Sequence, residues 1–170
     1  MLFVHWGNEY INRPSSAQKK FAHWLIDAGY DLIIGMHPHV LQGFEDYNGK
    51  RIYYSLGNFV FDMAWEPIHY GAIANVDFAG AEPRISYDYV KIGDDFSPKV
   101  IEEADVPIQY RFEELNKLIT IEENSEEYHN AINQFYRQYR KANHKDILKK
   151  MVQHPSVAMG IIKDFIKRRF

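Results

Sequence analysis

Cysteine is absent from the 170 residues, and this absence removes two classes of site. Without thiols the chain forms no disulfide framework and offers no thiolate to a metal ion. Any metal ion must therefore be held by His, Asp, Glu or Asn side chains. The absence of cysteine does not distinguish the cytosol from the exterior of a cell.

The sequence also lacks a long apolar run and a strong charge of one sign. No segment approaches the roughly 18 apolar residues of a membrane span, and no signal-peptide pattern opens the chain. The formal net charge is -3. It predicts no nucleic-acid partner, because such proteins concentrate Lys and Arg on one face. With 46% hydrophobic and 25% charged residues, the chain has the composition of a globular protein.

The first half of the sequence alternates strand and helix patterns. Residues 2–4 form a short apolar run typical of a strand. Ser15 and Gln18 have the spacing of a capping box, and Gly29 occupies the position that ends the helix. Residues 32–34 form a second apolar run. This pattern predicts a βαβ unit with two parallel strands and a right-handed crossover.

The pattern of the second half of the sequence predicts antiparallel strands followed by helices. Asn48-Gly49 is a hairpin turn signal. Further strand patterns lie at residues 44–47, 51–55, 72–78 and 85–92. From about residue 110 the apolar spacing becomes helical, and two stripes are expected to contact the sheet or each other. Their members are Tyr128, Ile132, Phe135, Tyr136 and Tyr139, and then Val157, Ile161, Ile162, Phe165 and Ile166. We therefore expect an α/β domain over residues 1–105 and a helical extension over residues 106–170.

Three histidines follow the two predicted parallel strands. His5 comes after the first strand, and His37 and His39 come after the second. Ligands bind outside the carboxyl ends of parallel strands, so these imidazoles are expected to converge. Pro38 stiffens the turn between two of them and favours an extended backbone at His37. A lone His-x-His is equally typical of a polar loop, but its βαβ context favours a metal or phosphate site.

Glu9 follows His5 closely and is a candidate for proton transfer or for an oxygen ligand. A solvated loop residue is an equally good interpretation of Glu9. Asn58 fits the turn at a strand end, and His69 fits a surface loop better than a substrate cleft.

Three segments resemble the CapA family of poly-γ-glutamate and capsule-synthesis proteins. They are HWGNEY at residues 5–10, GMHPHV at residues 35–40 and YSLGNFVFD at residues 54–62. The resemblance implies the carboxy-terminal half of a metallophosphoesterase-like α/β sandwich with divalent metal ions, either Mn, Fe or Zn. It implies that His5 and His37 bind one ion and that His39 binds the other.

The resemblance also implies metal motifs that would lie before Met1, so we expect the beginning of the parent domain to be missing. A two-metal site needs a bridging oxygen ligand, which three histidines do not supply. The expectation for this chain is a weak one-metal site with catalytic residues His5, Glu9 and His37.

Three functions follow as hypotheses. The first is a metal-dependent hydrolase that acts on a phosphoester or an anionic polymer in capsule metabolism. The second is a non-catalytic assembly component that contacts the polymer or membrane subunits of the capsule machinery. The third is an inactive truncated product that self-associates through an exposed sheet edge. The resemblance suggests the bacterial cell envelope as the location.

Overall fold

The computed structural model describes residues 1–63, 65–80, 83–156, 159–160 and 163. Within them the α-helices are α1 (Ser16–Asp27), α2 (Phe112–Ile119) and α3 (Glu126–Gln153). The strands are β1 (Leu2–His5), β2 (Leu32–Met36), β3 (Leu41–Tyr47), β4 (Lys50–Leu56), β5 (Tyr70–Asp77), β6 (Arg84–Ile92) and β7 (Pro98–Ile101).

The first four strands form a mixed sheet in the order β1-β2-β4-β3. Strands β1, β2 and β4 are parallel, and β3 runs antiparallel to β4. The predicted βαβ unit is therefore confirmed. Both of its strands are longer than predicted, because their pairing continues until His5 lies opposite Met36. His5 is thus the last residue of β1, whereas the sequence placed it just after the strand.

The local signals around the first helix and the hairpin are confirmed. Ser15 Oγ accepts from the backbone N–H of Gln18 at 3.2 Å, and Gln18 Oε1 accepts from the Ser15 N–H at 3.0 Å. Gly29 follows the helix with a φ of 105°. Asn48 and Gly49 have φ values of 51° and 74°, so a two-residue turn joins β3 and β4.

A second, antiparallel sheet has the order β5-β6-β7. The strand patterns at residues 72–78 and 85–92 correspond to β5 and β6. Strand β7 was not predicted, because its four residues include a proline and a lysine and carry no strong alternation. A bridge between Gly57 and Gly71 connects the end of β4 to β5.

Alternating side chains of the mixed sheet build two cores. Ile33, Ile52 and Tyr54 pack with α1 on one face. Leu32, Ile34 and Tyr53 face the other way and pack with residues of the second sheet and of α2. The period of two along a strand explains this division, since neighbouring side chains point to opposite faces. The mixed architecture confirms the predicted α/β class.

Helix α2 packs on the sheets, and helix α3 packs on the loops beside them. In α2, Asn116 Oδ1 accepts from the backbone N–H of Phe44 on β3 at 2.7 Å. In α3, Tyr128 is buried, and Phe135 and Tyr139 pack against a small core around Val40. The second predicted stripe lies outside the described residues, and the division near residue 105 stays a prediction. Among the described residues, no helix is long and apolar enough to cross a bilayer.

Candidate metal centre

Two loops meet at the carboxyl ends of β1 and β2. The backbone N–H of Trp6 donates to the carbonyl of Met36 at 3.1 Å, which extends the strand pairing by one bond. The N–H of Tyr10 then donates to the carbonyl of Pro38 at 2.7 Å. Because of these bonds, the segment that carries Glu9 lies beside the His-Pro-His turn.

A close approach below this edge requires glycine at position 35. The Trp6 indole Nε1–H donates to the carbonyl of Tyr54 at 2.9 Å and crosses β2 to reach it. A Cβ atom on Gly35 would lie 2.1 Å from that carbonyl oxygen and 2.4 Å from the indole nitrogen. The glycine therefore lets the Trp6 loop pack onto the sheet directly beneath the histidines.

The backbone of the two loops is strained at three non-glycine residues. The φ angles of Tyr10, His37 and His39 are 65°, 103° and 60°. L-residues rarely adopt positive φ, and such residues cluster at functional sites. The expected extended backbone at His37 is therefore wrong. The hydrogen bond from Tyr10 to Pro38 holds this turn, and such tertiary contacts override the local preference before proline.

The structure brings Glu9, His37 and His39 together. One candidate ligand atom from each residue lies within 4.8 Å of the other two. Ligand atoms around a tetrahedral ion with bonds of about 2.0–2.2 Å are about 3.4 Å apart. Two imidazole nitrogens and one carboxylate oxygen are a donor set that suits a divalent ion of the nitrogen- and oxygen-binding kind.

His5 lies beside the cluster of Glu9, His37 and His39. Its ring lies against the His37 ring, with a centroid distance of 4.4 Å and an angle of 48° between the planes. It does not belong to the group of three whose ligand atoms converge. The predicted histidines thus meet at one edge of the sheet, and Glu9 rather than His5 completes the group of convergent ligand atoms. The assignment of ligand and catalytic roles stays a prediction.

Asn58 orients the His39 ring, a role that the sequence interpretation missed. Its Nδ2 group donates to the carbonyls of His39 and Ile68, each at 3.1 Å. Its Oδ1 atom must therefore be the acceptor that faces His39 Nδ1 at 2.9 Å. The proton of a neutral His39 then lies on Nδ1, and Nε2 keeps the lone pair that a metal ion requires.

Two aromatic rings contact the His39 ring. Tyr10 stacks at a centroid distance of 5.9 Å and Phe61 packs at 4.7 Å. Tyr10 also stacks on Tyr139 of α3 at 4.2 Å. Burial raises the pKa of the Tyr10 hydroxyl above its usual 10.0, so the hydroxyl stays protonated further into the alkaline range than that of a free tyrosine. The long helix thereby helps to position a residue beside the candidate metal centre.

His69 is a structural residue of the neighbouring loop. Its Nε2 atom hydrogen-bonds the carbonyl of Met63 at 2.6 Å, across the turn that contains Pro67. This contact agrees with the loop interpretation rather than with a cleft residue. The sequence did contain a signal for the role of Asn58, because Asn58 lies within the third segment that resembles the CapA family.

Comparison with known proteins identifies the segment that builds this site. Residues 1–63 match the family described as bacterial capsule synthesis protein PGA_cap. Over 62 residues the chain is 57% identical to the capsule biosynthesis protein CapA of Bacillus anthracis. Over 61 residues it is 57% identical to the PGA biosynthesis protein CapA of Bacillus subtilis (strain 168).

The similarity to the PGA_cap family extends over residues 1–63 of the 170. The family segment contains all three clustered residues and Asn58 as well. A probable polyglutamine synthesis accessory protein of Mycobacterium tuberculosis (strain CDC 1551 / Oshkosh) is also 37% identical over 62 residues. The match covers 36% of this chain, but it spans only 15% of the Bacillus anthracis relative and 16% of the Bacillus subtilis relative.

Proposed function

We propose that this protein acts in capsule or poly-γ-glutamate biosynthesis through a divalent metal ion held by Glu9, His37 and His39. The observation that supports the proposal most strongly is the convergence of the three ligand atoms within 4.8 Å. The orientation of His39 by Asn58 adds support, because partners of this kind set the tautomer and basicity of metal-binding histidines. The CapA names of the Bacillus relatives supply the biological process.

The proposed reaction is the hydrolysis of a phosphoester. A bound ion would supply Lewis acidity at the phosphoryl group and a water of lowered pKa. His5 would accept a proton from the attacking water, whose oxygen would form the new bond to phosphorus while the ester P–O bond breaks. The leaving oxygen would take up a proton, which the protonated His5 would supply. The contact between the His5 and His37 rings puts this proton carrier beside the cluster.

Metal content and turnover test this proposal directly. We expect the chain to bind about one equivalent of Zn²⁺ or Mn²⁺, measured by calorimetry and elemental analysis. His39→Ala is expected to lose the ion, and His5→Ala is expected to keep the ion and lose turnover of phosphoesters. His144→Ala on the exposed face of α3 is the matched control and should resemble the wild type. Equal metal binding by His39→Ala and the wild type would contradict the metal site.

A second candidate is a non-catalytic assembly role in which the same fold binds the polymer. A cationic groove beside α3 favours this role and is described below. Metal binding without turnover on phosphomonoesters and phosphodiesters would support assembly over hydrolysis. Turnover that is lost in both the His5→Ala and His39→Ala variants would support hydrolysis instead.

Self-association through a sheet edge remains a further proposal. Strand β1 is the outermost strand of its sheet among the described residues, so its outer backbone groups pair with no other strand there. Phe3 on β1 is 59% exposed, and Trp24 on the neighbouring helix is 60% exposed. Sedimentation at several concentrations tests this proposal. A Phe3→Lys substitution should weaken association if the edge is the contact, because charged edge residues oppose strand pairing.

A further inference from the structure

A groove of about 890 Å³ runs between α3 and the loops that precede α1 and β5. Its wall on the α3 side includes three lysines, Lys141, Lys145 and Lys149. Its opposite wall includes Arg13 and Trp65. The groove is separate from the Glu9, His37 and His39 cluster, since none of those three residues lines it.

Arg13 is an unusual residue in this wall. It is only 6% exposed, and its Nη1 atom is buried without a hydrogen-bond partner. Its Nε–H donates to the Asn12 side chain at 3.4 Å, and its guanidinium lies 5.9 Å from the Tyr128 ring centre. Burial lowers the pKa of Arg13. A buried cation with an unused donor is costly for the fold, and a ligand that completed its hydrogen bonding would offset that cost.

The three lysines form a row along one side of α3. They are four residues apart, which separates successive positions by about 6 Å along the helix axis. All three side chains are exposed, and none forms an ion pair with the residues that the structure describes. The row therefore spans about 12 Å, which suits several negative charges on one chain better than a single small anion.

The acidic side chains of the groove are already engaged. Asp146 forms an ion pair with Lys150 at 2.9 Å. Glu66 accepts a hydrogen bond from the Tyr110 hydroxyl at 3.2 Å. The walls thus carry four cationic groups and two acids that each have another partner, and Glu127 outside the walls also interacts electrostatically with Arg13. The groove is locally positive in a chain whose net charge is -3.

We infer that this groove is a binding site for a linear polycarboxylate, with Arg13 holding one carboxylate and the lysine row holding those that follow. The planar guanidinium matches a carboxylate in shape and forms strong charge-assisted hydrogen bonds. Trp65 and Phe135 provide apolar surface for the methylene groups of such a chain. The choice of a carboxylate polymer rests on the proposed role in capsule biosynthesis, whereas the site itself does not require the metal ion.

Binding of fluorescent poly-γ-glutamate to the full chain, followed by anisotropy in the presence of EDTA, tests the inference. Replacing Lys141, Lys145 and Lys149 together by Gln should weaken binding at least tenfold and reduce its dependence on salt. The charge-matched control replaces Lys20, Lys91 and Lys99, which lie on α1, β6 and β7 away from the groove. The control should bind within about twofold of the wild type; an equal loss in both triple variants would overturn the site.

An Arg13→Met variant separates ligand binding from folding. We expect binding to weaken about tenfold or more, as for the loss of a charged hydrogen bond. The thermal unfolding midpoint should stay the same or rise, because the substitution removes a buried charge whose Nη1 atom has no hydrogen-bond partner. Unchanged binding together with a lower midpoint would assign Arg13 a structural role and overturn the inference.

Two further measurements distinguish this inference from the metal proposal. His39→Ala should bind poly-γ-glutamate as tightly as the wild type in EDTA. A loss of polymer binding in that variant would overturn a groove that is independent of the metal centre. Inorganic polyphosphate serves as the second polyanion, and binding of polyphosphate without binding of poly-γ-glutamate would overturn the carboxylate assignment.

Discussion

Replacing Asn58 by Ala tests whether this side chain sets the tautomer of His39. The substitution removes three hydrogen bonds, one to the His39 ring and two to the carbonyls of His39 and Ile68. At about 1 kcal/mol for each bond, the free energy of unfolding should fall by about 3 kcal/mol. A bond of about 1.4 kcal/mol to the ring changes the ratio of its two tautomers about tenfold.

The assay follows the His39 ring nitrogens by ¹⁵N NMR in the metal-free protein, together with Zn²⁺ calorimetry. In the wild type we expect the proton on Nδ1, and in Asn58→Ala a marked population with the proton on Nε2. Zn²⁺ affinity should fall about 10–100-fold, as for the loss of other partners that orient a ligand. Asn75→Ala is the control, because Asn75 bonds only to exposed Asp88 on the second sheet. A wild-type proton on Nε2 would refute the reasoning.

The remaining predictions concern stability. Gln42→Leu should lower the free energy of unfolding by about 3 kcal/mol in urea titrations, because it leaves two buried carbonyls of the loop before α1 without donors. Gly35→Ala should cost about 3 kcal/mol or more, since its Cβ would overlap a carbonyl on β4. Gly160→Ala is the control and should cost almost nothing, because no atom of the described residues lies within 4 Å of the added Cβ. Burial raises the pKa of Tyr54 above its usual 10.0. The folded protein therefore holds this proton to a higher pH than the unfolded chain. The contribution of Tyr54 to the free energy of unfolding should be fully present below pH 10.0 and be lost as the pH rises above it. Tyr54→Phe should make the loss of stability above pH 10.0 less steep.

Each of these three predictions has a result that would contradict it. A Gln42→Leu protein as stable as the wild type would mean that water or other groups satisfy the loop carbonyls. A Gly35→Ala protein with the same free energy of unfolding as the wild type would mean that the Trp6 indole does not pack against position 35. A Tyr54→Phe protein with the same alkaline profile as the wild type would show that other groups govern stability above pH 10.0.

Elements defined by neighbouring residues were predictable from the sequence. The capping box at Ser15 and the Asn48-Gly49 turn use contacts within four residues, so local pattern is sufficient to identify them. The parallel βαβ unit followed from two apolar runs around one helix, since the crossover has a preferred hand. The convergence of the histidines followed in turn, because the carboxyl ends of parallel strands share one edge.

The sequence by itself therefore determined the α/β class and the edge of the sheet at which His37 and His39 lie. Only the tertiary structure decided the positive φ of His37, the place of Glu9 in the cluster and the bond from Asn58 to His39. It alone also decided that Arg13 is buried beside the lysine row of α3. These features depend on hydrogen bonds and packing between segments that are far apart in the chain, and no local preference encodes such contacts.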